Sequence, residues 1–322
     1  MTTTTDSDAR RWLARATIGP RDAPMNEVLA AKEAAGVTVA VCLPALNEAA
    51  TIGQICRIVT GELRATGVVD DLVVMDSGSS DATRDVAEAA GASVHVTADV
   101  LREAGPVAAA GKGESLWKSL VVVDSDIIVW LDSDTRNFAA HFVTRLLVPL
   151  LSDPAVSFAK AFYERPLHAP AHVAPNAGGR VTEIAIRPLI NLLVPSLAGF
   201  IQPLSGEYAG RTALLRELPF AVGYDVDLLL LMDVVETWSL DSVVQVDLGE
   251  RVHRNRDPAS LGRMSFEITR GLLGRLDREG IIKLGAELPS ELIQFRDDAP
   301  SPDTRGFVTI NERRPPMSAY VT

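Results

Sequence analysis

The chain has 322 residues, 47% of them hydrophobic, enough for one large domain with an apolar core or for two small ones. Its 42 acidic residues against 31 basic ones give a net charge of −11, which disfavours nucleic acid and anionic lipid as partners. A membrane span is disfavoured too, because the most apolar stretch, Ile184 to Phe200, is interrupted by Arg187, Pro188, Asn191 and Pro195 and reads as a buried, broken helix.

Residues 1–25 are polar without a clear period and are expected to form an N-terminal arm; they lack the basic-then-apolar order of a secretory signal. Val37 to Leu43 is a short β-rich run closed by Pro44, after which Asn47 and Glu48 open a helical stretch with Ile52, Ile55, Ile58 and Val59 on one side. Leu72 to Met75 predicts a second buried strand, Asp81 a cap for a helix running to Ala90, and Gly91 its stop. A short strand around Val94 to Val96, a helix from Glu114 to Val123 and an apolar strand from Ile127 to Leu131 follow. The only cysteines, Cys42 and Cys56, fall in an apolar run and an amphipathic helix, so both are expected as buried reduced thiols of a cytoplasmic protein.

The second half predicts a helix from Ala139 to Leu151, a strand from Val156 to Phe162, interrupted helix from Val181 to Leu197, helix from Val226 to Trp238 and a strand from Val243 to Leu248. Pro and charge after about Gly285 predict loops and an extended tail, 286–322. The alternation of strand and helix predicts an α/β fold with a mostly parallel central sheet and helices on both faces. No linker divides it, so 26–285 is expected as a single domain.

The sharpest chemical feature is Trp130-Leu131-Asp132-Ser133-Asp134, a buried strand running out into two carboxylates. On a strand, residues two apart face the same side, and two like charges there repel unless a cation joins them. Hard oxygen ligands suit Mg²⁺ or Mn²⁺, which also grip a diphosphate; a capped turn after a strand is the plain alternative. Pro44-Ala45-Leu46-Asn47-Glu48 and Asp76-Ser77-Gly78-Ser79-Ser80-Asp81 end the first two strands, where open α/β sheets place ligands. Asp76 can accept hydrogen bonds from a base or ribose, although an ordinary Asp/Ser/Gly turn explains Ser79, Ser80 and Asp81. The G-x-G-x-x-G of dinucleotide folds is absent. Gly111-Lys112-Gly113-Glu114 places a lysine between glycines at a helix start, suited to phosphate but equally to a surface turn. Taken alone, His253 reads as a structural histidine, and Arg180 as a helix-start residue. Arg251, Arg254 and Arg256 concentrate positive charge suited to phosphate and carboxylate oxygens.

In this order, P-A-L-N-E, D-S-G-S-S-D, G-K-G-E-S-L-W and D-S-D resemble the GT-A glycosyltransferases, and more narrowly the glucosyl-3-phosphoglycerate synthases and their mannosyl-transferring relatives. The likeness continues through Gly178-Gly179-Arg180-Val181-Thr182-Glu183, Gln202-Pro203-Leu204-Ser205-Gly206-Glu207-Tyr208 and Arg251-Val252-His253-Arg254-Asn255-Arg256, so it spans about residues 37–256. It implies a nucleotide-sugar half (37–160), an acceptor half (161–285) and a retaining, metal-dependent hexosyltransferase. Its partners would be an NDP-glucose or GDP-mannose donor and 3-phosphoglycerate as acceptor; its cofactor Mg²⁺ or Mn²⁺; its assembly a homodimer. The resemblance puts Pro44, Ala45, Leu46, Asn47, Glu48, Asp76, Ser77, Lys112, Asp132, Ser133, Tyr224, Asp227 and Arg251 at the nucleotide sugar. It puts Gly179, Arg180, Val181, Thr182 and Asn255 at the acceptor, and Asp134 and His253 on the metal. Asp134, Lys112 and Asp227 carry the catalytic roles. The glucosyl enzymes have glutamate where this chain has Asp227, one methylene shorter, which leaves the donor hexose open. A mannosyl-3-phosphoglycerate synthase, a sugar-nucleotide pyrophosphorylase and a non-catalytic nucleotide-sugar sensor are the rival readings. A basic, glycine-rich loop after the first strand is missing for the pyrophosphorylase, and the intact acidic pair and His253 weigh against a sensor.

Overall fold

The computed structural model describes residues 6–107, 111–165, 167–169, 172–174, 178–252, 257–295, 304–309 and 311–321. Eight strands form one sheet: β1 (Thr17–Ile18), β2 (Val39–Ala45), β3 (Asp71–Asp76), β4 (Ser93–Val96), β5 (Ile127–Trp130), β6 (Phe158–Glu164), β7 (Tyr208–Arg211) and β8 (Val243–Glu250). Their order is β1-β8-β6-β7-β5-β2-β3-β4. All neighbours run parallel except β7, which is antiparallel to both β5 and β6.

Register decides where the site lies. Ala45 of β2 pairs with Asp76 of β3, and Cys42 of β2 with Trp130 of β5, so three strands release their loops at one edge of the sheet. Because β7 runs the other way, its first residue, Tyr208, sits opposite Trp130 and Lys160 at that same edge. A single reversed strand thus brings Gly206 and Glu207 to loops that parallel strands deliver from their other ends.

The sheet is buried on both faces, as unbroken apolar strands require. Along β2, Val39, Val41 and Leu43 point to one cluster and Ala40 and Cys42 to the other. The first cluster packs under α2 (Met25–Ala35), α3 (Ile52–Ile58), α4 (Thr83–Ala89) and α6 (His141–Ser152). The second packs under α5 (Lys112–Val122), α7 (Arg187–Leu193), α8 (Val226–Trp238) and α9 (Pro258–Arg278). Cys42 and Cys56 are buried free thiols, their pKa pushed by burial to about 12.

Several elements differ from the expectations. The polar N-terminal segment contains a helix, α1 (Asp6–Ala16), whose narrow stripe of Ala9, Trp12 and Ala16 is buried; Trp12 Nε1 donates to Val243 O at 3.0 Å. The stripe is too thin to stand out against the arginines and aspartates around it. Helix α9 is not among the expected elements, although Leu261, Met264, Ile268, Leu272 and Leu276 recur at helical spacing and Asp257 caps it by accepting from Ser260 N at 2.9 Å. The tail is not simply extended: Arg313–Arg314 pair with Phe220–Ala221, and Met317 is fully buried. Asn47 does not open α3: it stands at φ 57° with its Oδ1 accepting from Ser80 N at 2.9 Å, whereas Glu48 O accepts from Ile52 N at 3.0 Å at the helix start.

Candidate active site

Pro44, Ala45, Leu46, Glu48, Ser77, Lys112, Asp132, Ser133, Asp134, Gly179, Arg180, Val181, Thr182, Tyr224, Asp227 and Arg251 line one cavity of about 410 Å³ at the sheet edge. Its centre is a network of paired charges. Lys112 Nζ lies 2.8 Å from Asp132 Oδ1 and 3.1 Å from Asp227 Oδ2. Arg251 Nη2 lies 3.1 Å from Asp132 Oδ2 and 2.7 Å from Asp134 Oδ1. The two aspartates therefore converge, from a turn just past β5, and the cation that joins them within the chain is a guanidinium. Burial pushes the Asp132 carboxyl up, but the charges of Lys112 and Arg251 outweigh it and hold it well below the usual carboxylate range. Burial pulls Lys112 down, while Asp132 and then Asp227 hold it protonated beyond its ordinary range.

Glycines let these groups meet. A Cβ on Gly113 would lie 1.8 Å from Ala221 O and one on Gly111 2.9 Å from Val222 O, so the G-K-G glycines serve the packing of α5 on the 220–223 segment. A Cβ on Gly206 would fall within 2.4 Å of Lys112 Nζ and of Asp132.

Two expected ligand contacts are placed otherwise. Asp76 is fully buried, with its carboxylate accepting from Gly78 N at 3.1 Å and Ser79 N at 3.1 Å, so it shapes the loop instead of facing the cavity. Asn47 spends its side-chain oxygen on Ser80 and does not line the cavity. His253 and Asn255 lie outside the described residues.

The sequence reading missed a deeper layer. Glu207 is buried; its Oε1 lies 2.8 Å from Arg251 Nε, and its Oε2 accepts from Tyr163 OH at 2.6 Å. Burial raises the Glu207 carboxyl, against the lowering charge of Arg251. Tyr208 OH donates to Asp227 Oδ1 at 3.1 Å, and Lys160 Nζ donates to Asp227 O at 3.2 Å. Lys160, buried and 4.4 Å over the Tyr208 ring, is lowered to about 8, by burial first. Arg165, Leu204 and the α9 residues Leu261, Met264 and Ile268 complete the cavity wall. The Q-P-L-S-G-E-Y motif was the available signal for Glu207 and Tyr208.

Residues 40–171 match the Glycosyl transferase family 2 family. Over 294 residues the chain is 41% identical to the glucosyl-3-phosphoglycerate synthase of Petrotoga mobilis, with 91% of this chain and 90% of that one covered. The chain belongs to the glucosyl-3-phosphoglycerate synthase family. Its fold is similar to that of mannosyl-3-phosphoglycerate synthase from Rubrobacter xylanophilus, at TM-score 0.88 and 32% identity, covering 97% of this chain and 100% of that one. It is also similar to Mycobacterium tuberculosis glucosyl-3-phosphoglycerate synthase in complex with Mn²⁺, UDP-glucose and phosphoglyceric acid, at TM-score 0.80 and 40% identity, covering 94% and 98%. The fold expected of the glucosyl-3-phosphoglycerate synthases, GT-A with a mostly parallel sheet and helices on both faces, is the one observed.

The residues present fit a hard divalent ion. Both oxygens of Asp132 are taken by Lys112 and Arg251, whereas among the described residues Asp134 Oδ2 accepts no hydrogen bond and its carboxylate lines the cavity. Among the described residues no three His, Cys, Asp or Glu side chains cluster.

Proposed function

We propose that the chain transfers glucose from a nucleoside diphosphate glucose, UDP-glucose first, to the free hydroxyl of 3-phosphoglycerate with retention at the anomeric carbon. The observation that carries this reading is one cavity in which Lys112, Asp132, Asp134, Asp227 and Arg251 interlock and whose wall also includes Gly179–Thr182. A divalent ion on Asp134 supplies neutralisation of the charge that develops on the diphosphate. Asp227, oriented by Lys112 and Tyr208, faces the donor hexose, and the ammonium of Lys112 stands beside the leaving diphosphate. Holding both substrates in one cleft contributes the orientation term. Asp132 is a poor nucleophile, since its two oxygens are occupied by ion pairs to Lys112 and Arg251; this favours attack on the face from which the diphosphate leaves, with a phosphate oxygen taking the acceptor proton.

The test offers purified protein UDP-glucose, GDP-glucose and GDP-mannose, each with 3-phosphoglycerate and Mn²⁺ or Mg²⁺, and records product mass and anomer. No glucosyl product from any glucose donor overturns the reading. Asp227 in place of glutamate favours one second reading, mannosyl transfer from GDP-mannose, which the same panel decides. Measurable turnover that Asp134→Ala abolishes while the fold is retained separates an enzyme from a nucleotide-sugar sensor.

We infer a homodimer from the apolar residues Ile184 and Leu192, each 77% exposed on one helical segment. Sedimentation of the wild type and of Ile184→Asp/Leu192→Asp checks this, a monomeric wild type refuting it. Cytoplasmic residence is supported by the two buried free thiols. Among the described residues no helix is long and apolar enough to cross a membrane.

A further inference from the structure

Arg165 lies at the end of β6, in the cavity wall beside Gly178–Thr182, and the sequence motifs assign it no role. Gly178 N donates to Arg165 O at 3.0 Å, and a Cβ on Gly178 would stand 2.5 Å from Arg165 Cβ, so the first glycine of the G-G-R-V-T loop is what lets the two segments touch. The guanidinium is held from behind. Its Nη2 donates to Tyr163 OH at 2.6 Å and its centre lies 4.7 Å over the Tyr163 ring. Tyr163 OH in turn donates to Glu207 Oε2 at 2.6 Å, so the chain of donors runs one way and fixes the orientation of the fork.

Among the described residues no carboxylate pairs with Arg165. Its charge lowers the Asp132 and Glu207 carboxyls, but Asp132 is committed to Lys112 and Arg251, and Glu207 to Arg251 and Tyr163. Arg165 Nε is buried and, among the described residues, has no hydrogen-bond partner. An orphaned charged donor beside a cavity costs free energy unless a ligand oxygen satisfies it.

We propose that Arg165 is a further acceptor-binding residue whose planar fork grips the acceptor's carboxylate, with Tyr163 and Glu207 as the positioning residues behind it. The inference rests on the acceptor reading above. Arg180 and Thr182 open the helical segment that runs on to Leu193, and backbone N–H groups at a helix start suit a phosphate. The flat, two-pronged geometry of Arg165 suits the remaining planar anion.

The test compares 3-phosphoglycerate with glycerol 3-phosphate, which keeps the phosphate and lacks the carboxylate, each measured as substrate or competitive inhibitor. Arg165→Gln should lower kcat/KM for 3-phosphoglycerate about 10- to 100-fold, mainly through KM, the effect of losing charge-assisted hydrogen bonds. The constants for glycerol 3-phosphate and for the donor should stay within about twofold. Tyr163→Phe, which keeps the ring and removes the hydroxyl, should shift 3-phosphoglycerate the same way by a smaller factor. Calorimetry with UDP-glucose verifies that each variant is folded, and if Arg165→Gln is not, Tyr163→Phe carries the test. An unchanged KM for 3-phosphoglycerate, or equal losses for both acceptors, overturns the proposal. Absence of turnover by the wild type with 3-phosphoglycerate instead sinks the acceptor reading beneath it.

Discussion

Gly206→Ala adds one methyl group at the centre of the donor site. The new Cβ would stand 2.4 Å from Lys112 Nζ and 2.3 Å from Asp132 Oδ1, where ordinary contact needs about 3.4 Å or more, so the ammonium and the carboxylate must each retreat by about 1 Å. Both are ends of side chains, and Gly206 is not among the positive-φ glycines, so the backbone tolerates alanine. At an effective dielectric of about 20, an ion pair at 2.8 Å is worth about 6 kcal/mol, and at roughly 3.8 Å about 4.4 kcal/mol. The loss of about 1.5 kcal/mol is tenfold in rate, and misplacing Lys112 against the diphosphate adds an orientation penalty, so kcat/KM should fall about 10- to 100-fold. Initial rates with varied donor, together with a thermal melt, measure this. With its partner displaced, Asp132 should also titrate higher, moving the acid limb of the rate profile upward. Wild-type kinetics in Gly206→Ala would refute the claim that Lys112 and Asp132 work at this separation; loss of folding would refute the claim that only side-chain ends are in the way.

The buried layers make further predictions. Glu267, raised by burial to about 7, accepts from Tyr224 N at 2.8 Å. Its folded pKa lies above its unfolded one, so it favours the folded state at low pH and loses that contribution as pH rises through about 7. Glu267→Gln should therefore raise the melting temperature by about 2–4 °C at pH 8 and leave it unchanged near pH 4. Asp132 has the opposite sign. Its depressed pKa contributes stability above the unfolded value of about 4 that is lost as the medium becomes more acid, so urea melts of Asp132→Asn should show a shallower loss between about pH 4 and pH 2. Arg314, in the tail, makes two 2.9 Å bonds to the buried carboxylate of Glu114 and donates to Ala104 O and Gly105 O. Arg314→Ala leaves Glu114 with only Lys118, whose Nζ lies 3.3 Å from Oε1, and should cost about 2 kcal/mol in a urea melt.

Most of the sheet was legible because buried parallel strands are short apolar runs, and Val226–Trp238 was readable to the residue. Helix α1 was hidden because a short surface helix needs only Ala9, Trp12 and Ala16 to dock. The tail was misjudged because Arg313 and Arg314 look solvated until Phe220, Ala221 and Glu114 are seen beside them. Within the site, a loop that holds a ligand and a turn that satisfies itself have the same composition, so the internal hydrogen bonds of Asp76 and Asn47 show only in the fold.

By itself the sequence determined the alternation of buried strands and helices from Val37 to Leu131, the acidic pair after Ile127–Trp130 and the motif series that marks the family, all carried by neighbours along the chain. Tertiary structure alone decided who pairs with whom. Lys112, Asp132, Asp227 and Arg251 are up to 139 residues apart and meet because β2, β3 and β5 end in register while β7 enters reversed. Charge pairing falls off within a few ångströms, a distance that only the folded sheet sets.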